Sequence, residues 1–176
     1  HSTGVELYFN REALSTMSSV TAVETTESVP NEWLSAGIAG IAGTIVFGAV
    51  QMVVGAVGVI AVAIPALYGV SGPNLVAGWA IHLVHGALLG LGFAVLATRP
   101  SVRSYARRVG PGAALGLAYG LVLTIPTAGI AMPLWLSAVG FPNAPPLPNL
   151  TVMGFVGHGV YGLVLGATYP VIRTLL

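Results

Sequence analysis

Two stretches of this chain, residues 33–98 and 109–172, contain no Asp, Glu, Lys or Arg. A soluble domain is about one-quarter charged. This chain is 6% charged and 55% hydrophobic, too little polar surface to cover a water-soluble fold. Each stretch can hold two apolar spans of about 20 residues, the length that the bilayer core demands. The expected fold is therefore all-α, an integral membrane four-helix bundle. Its spans are expected near residues 33–64, 75–98, 112–138 and 150–172. Trp33 marks an interface anchor at the start of the first. Pro65 ends or kinks that span, and Pro126 and Pro133 interrupt the third.

The few charges carry topological information. Arg99, Arg103, Arg107 and Arg108 cluster between the second and third spans. The positive-inside rule places that loop in the cytoplasm, which puts both termini there as well, and Arg173 agrees. The five Glu residues up to Glu32 weigh little in this rule. Residues 1–32 are rich in Ser, Thr and Glu and show no apolar helical face, which predicts a flexible polar arm. The chain is expected in the cell membrane, with lipids as its first partners and anionic headgroups beside the arginines. Positive-inside topology explains these arginines, so nucleic-acid binding is not indicated.

An internal repeat organises the rest. "GWAIHLVHGALLGLGF" aligns without gaps to "GFVGHGVYGLVLGATY". Gly78, His82, His85, Gly86, Gly90 and Phe93 stand opposite Gly154, His158, Tyr161, Gly162, Gly166 and Tyr169. Upstream, "AIPALYGV" resembles "AMPLWLSAVG", and "PNL" precedes both later spans. The pattern predicts a tandem repeat of two-helix hairpins. Residues 33–98 form the first hairpin, 99–110 the basic loop and 111–176 the second hairpin. Two spans per unit give both copies the same orientation across the membrane.

On a helix, Gly78, His82, Gly86 and Gly90 form one stripe, and Gly154, His158, Gly162 and Gly166 form its counterpart. The duplication places His82 and His158 at equal depth, about two turns below the interface opposite the basic loop. Paired imidazoles flanked by residues without a Cβ suit a metal tetrapyrrole, haem b, ligated from both sides. His85 and Tyr161 are then placed to hydrogen-bond a ring substituent, an axial ligand or a quinone. The corresponding function is a cytochrome-b-like electron-transfer subunit. The missing Lys and Arg near the histidines count against haem propionates. A chlorophyll-type pigment escapes that objection.

The competing expectation is close helix packing, the commonest use of Gly-x-x-x-Gly stripes in membranes. It makes the chain a cofactor-free scaffold of a larger complex, joined to other membrane subunits or to copies of itself. A third reading is a small-solute pore past Gln51, Thr124 or Thr127. A copper or zinc site from His82, His85 and His158 ranks lower, because no carboxylate or thiolate assists. The chain has no Cys and no Lys, which excludes disulfides, thiolate metal sites and Schiff-base cofactors. No nucleophile–base pair is visible, so any enzymatic role is at most that of an electron-transfer subunit of an oxidoreductase. Asn149 of the sequon "NLT" is expected to help cap the fourth helix.

Overall fold

The computed structural model describes residues 29–176, and within them every regular element is helical. The long helices are α1 (Val29–Val53), α2 (Leu75–Ala97), α3 (Val109–Leu123) and α4 (Val152–Leu175). α3 runs on through a π-helical stretch, Ile125–Ala131, and a further α-helical one, Met132–Ala138. Among the described residues, four helices are long and apolar enough to cross a membrane: Asn31–Val53, Leu75–Ala97, Val109–Ala138 and Val152–Leu175. The chain is thus a multi-pass membrane protein by length and composition. Most of the polar arm expected over residues 1–32 lies outside the described residues. Its last part, from Val29, is the first turn of α1.

The first span is shorter than its hydropathy predicts. α1 stops at Val53, where Gly55 adopts a left-handed φ of 78°. Ala56 N–H returns to Gln51 O at 2.8 Å and Gly55 N–H to Met52 O at 3.4 Å, which together close the helix end. The chain resumes as a π-helical turn, Val59–Ala63, and a short helix, Ile64–Ala66. This segment lies along α2. The Ile60 carbonyl abuts Gly78, and the Tyr68 hydroxyl reaches His85 two turns further on.

Proline explains how both interrupted segments are tied down. Pro65 and Pro133 have no N–H, so the carbonyls four residues earlier, Ala61 and Gly129, lose their helical donor. Asn74 N–H fills the first at 2.7 Å, and Asn149 N–H fills the second at 2.9 Å. Where no water is at hand, such replacement is obligatory. The backbone of Asn149 is used here, while the α4 cap is Thr151, whose hydroxyl accepts from Gly154 N–H at 3.0 Å. The expected capping role of Asn149 therefore belongs to Thr151. In the other half Asn74 does cap α2, accepting from Ala77 N–H at 2.9 Å.

The helices pack in the order α2–α1–α4–α3, with α1 against both α2 and α4 and α3 against α4. Backbone touches backbone in these contacts. A Cβ on Gly86 would overlap the Thr44 hydroxyl, and one on Gly90 would overlap Ala36 O. A Cβ on Gly162 would overlap Gly116 O, and one on Gly166 would overlap Gly112 O. Ala36, Ala39, Phe93, Ala94, Leu165 and Tyr169 complete a core at the same end of the bundle. That end is closed by Glu32, which meets Arg107 at 3.0 Å and Arg103 and Arg173 at 3.4 Å each. The basic loop, the start of α1 and the end of α4 therefore meet at one face.

Candidate functional site

α2 and α4 make no extended contact with each other, and a cavity of about 400 Å³ opens between them. Its walls come from α1, α2, α4, the π-helical stretch of α3 and the segment after α1. Interrupted helices at corresponding places of two halves are a recurrent way to build a binding site inside a membrane. His82, His85, His158 and Tyr161 all border the cavity, with Gly86 and Gly154. So do Phe47, Gln51 and Thr127. No Asp, Glu, Lys or Arg borders it.

The other stripe glycines are placed differently. Gly90, Gly162 and Gly166 are buried against neighbouring helices, and Gly78 faces Ile60. The tightest glycine contacts pair α2 with α1 and α4 with α3, so they do not form a groove for a ring between α2 and α4. Gly86 is shared, since a Cβ there would meet Thr44 while the residue also edges the cavity.

His82 and His158 pack on one phenylalanine ring but differ in environment. Phe47 stands between them, its ring centroid 5.5 Å from that of His82 and 5.2 Å from that of His158. His82 Nε2 is buried and has no hydrogen-bond partner. Trp79 packs on the same imidazole at 6.2 Å. His158 is fully engaged. Its Nδ1–H donates to Gly154 O at 2.9 Å, and its Nε2 lies 3.1 Å from Thr127 Oγ1. Thr127 has one hydroxyl proton, which lies between Leu123 O, at 2.6 Å, and His158 Nε2.

His85 and Tyr161 face partners within the protein. The Tyr68 hydroxyl and His85 Nε2 share a hydrogen bond at 2.6 Å, and the Trp135 ring lies tilted against Tyr68, centroids 5.1 Å apart. His82, His85 and His158 form no three-ligand metal group, and none exists elsewhere among the described residues. The copper or zinc site, ranked low from the sequence, has no such group behind it among the described residues. Tyr161 donates to Gly86 O at 2.8 Å and so bridges α4 to α2 below the cavity. Thr124, expected to line a polar path, is buried and donates to Gly120 O at 3.1 Å. Gln51 Oε1 is buried without a partner.

The Tyr161 bridge is a measurable contact. Tyr161→Phe is expected to cost about 1 kcal/mol, the net worth of one hydrogen bond. Thermal unfolding in detergent checks it, and an unchanged midpoint would show that the bridge contributes nothing.

Phe47 and the Tyr68–Trp135 pair escaped the sequence reading, because a lone aromatic in an apolar run carries no periodic signal. The sequence matches no protein-family model, and no curated protein or solved structure is measurably similar to it.

Proposed function

We propose that this chain is a cytochrome-b-like membrane subunit that carries electrons through a tetrapyrrole, haem b, held in the cavity between α2 and α4. The observation that carries the reading is His82 Nε2, a buried nitrogen without a partner at the cavity wall. A buried polar atom left unpaired is costly, and a metal ion is one way to satisfy it. The residues fit ligation by His82 alone. Both nitrogens of His158 are engaged and Phe47 intervenes, so two-sided ligation does not fit this side-chain arrangement. A bound haem supplies one-electron transfer. Trp79 and Phe47 both pack on the imidazole, and the cavity walls are mostly apolar.

The tandem-repeat reading belongs to the same proposal. Ala36, Gly40, Gly86 and Gly90 of the first hairpin make the contacts that Gly112, Gly116, Gly162 and Gly166 make in the second. The four pairs are related by one constant interval along the chain. The Asn74–Ala61 and Asn149–Gly129 bonds are a looser parallel, each filling the carbonyl that a proline frees, at intervals unlike that of the glycines. The basic end is then cytoplasmic and the cavity lies towards the opposite face.

The test is an optical spectrum of protein purified with its native lipids, oxidised and then dithionite-reduced. Wild type is expected to show a Soret band with reduced α and β bands. His82→Ala is expected to lose them and His158→Ala to keep them. Loss in both variants would mean that Phe47 and Thr127 yield and both imidazoles bind. A featureless wild-type spectrum would favour the scaffold reading, which the tightly packed glycines also support.

A further inference from the structure

We propose that Arg99 and Arg108 hold an anionic phospholipid at the basic end of the bundle. The site lies apart from the cavity and does not depend on what the cavity holds. Arg99 follows the end of α2 at Ala97, and Arg108 directly precedes α3 at Val109. Both therefore stand at the ends of membrane-crossing helices, the level of the lipid headgroups. Trp33 and Tyr105 are exposed at the same end, and such rings favour that level. The loop between the two arginines is folded. Arg103 N–H donates to Arg99 O at 2.9 Å, and Arg107 N–H donates to Arg103 O at 3.1 Å. At helical rise these bonds bring Arg99 and Arg108 within about 14 Å of each other. Two extended arginine side chains can meet at one headgroup across that distance.

The arginines of this end divide in role. Arg103, Arg107 and Arg173 surround the Glu32 carboxylate. Arg99 and Arg108 are exposed on the same loop. After Glu32 the sequence has no Asp or Glu, so no acidic side chain of residues 33–176 opposes them. The positive charge calls for an anion, and the membrane setting calls for one carried by a lipid. Guanidinium groups grip phosphate oxygens two at a time. The phosphate of a zwitterionic lipid has its own ammonium nearby, which the arginines repel. A headgroup without a cation, such as glycerol, meets no such repulsion. The pair therefore selects net negative charge rather than phosphate alone.

The experiment uses the full chain in nanodiscs made of equal parts phosphatidylglycerol and phosphatidylcholine with matched acyl chains. Native mass spectrometry of the released protein reads which lipid stays bound. An arginine beside an anionic headgroup is worth about fivefold in binding. Wild type is expected to retain phosphatidylglycerol about twentyfold over phosphatidylcholine. Arg99→Gln and Arg108→Gln should each lower that ratio about fivefold, and the double variant should bring it close to parity. Parity in wild type, or a preference that survives the double variant, would overturn the proposal. Glycerol phosphate added at millimolar concentration is expected to leave the ratio unchanged. If it displaced the lipid, the arginines would serve a soluble anion and the proposal would fall. Should the double variant fail to fold, the two single variants decide.

Discussion

Gly162→Ala is expected to be among the most damaging single-methyl changes in the described residues. Gly162 lies where α4 crosses α3, and a Cβ there would overlap Gly116 O and press on Gly120 Cα at 2.9 Å. The obstacles are backbone atoms of a packed helix, which cannot rotate away as a side chain can. The helices must separate, and separation also breaks the reciprocal contacts of Gly112 and Gly166. Overpacking a core costs about 1–3 kcal/mol, and a backbone-limited site is expected at or above the upper figure. Gly159→Ala, on the same helix, is the control. Its Cβ would meet only the Leu117 and Leu121 side chains, at 3.3 and 3.4 Å. Thermal unfolding in detergent should separate the two variants clearly. Equal midpoints would show that the α3–α4 contact is not the constraint described here.

Glu32→Gln is expected to loosen the basic end. The Glu32 side chain is only 12% exposed and meets Arg103, Arg107 and Arg173, which come from two other parts of the chain. Removing its charge leaves three guanidinium groups facing a neutral amide. Breaking a fully buried pair costs about 3–5 kcal/mol, and a surface pair much less. The arginines are partly exposed, so about 2 kcal/mol is expected. Arg99→Gln, at an exposed position, should change stability by less than about 0.5 kcal/mol. Unfolding midpoints at low and high salt check this. A Glu32→Gln effect no larger than that of Arg99→Gln would reduce the cluster to a surface decoration.

Charge-free length made the four membrane-crossing helices readable, because a bilayer imposes both conditions on any helix that spans it. The glycine stripes were readable as stripes. Their partners were not, since period alone cannot say whether Gly86 faces α1 or α4. The break after Val53 was hidden for a related reason. "QMVVGAVGVIAVAIPA" stays apolar throughout, and hydropathy cannot tell a continuous span from one that stops at Gly55 and lies against α2. Glu32 read as the last residue of a polar arm, because nothing local reveals three arginines from elsewhere in the chain. The histidines were found from their repetition, but the unlike fates of His82 and His158 depend on Thr127, which only the fold brings near.

The two main-chain bonds that satisfy the proline-freed carbonyls have a consequence for mutational tolerance. The donors at positions 74 and 149 are backbone N–H groups, so almost any residue except proline can supply them. A saturation library should therefore find position 149 permissive to every side chain but proline. Position 74 should be choosier, because its side chain also accepts from Ala77 N–H. Shortening either loop should be far less tolerated than changing its letters, since the geometry of return, rather than residue identity, carries the contact.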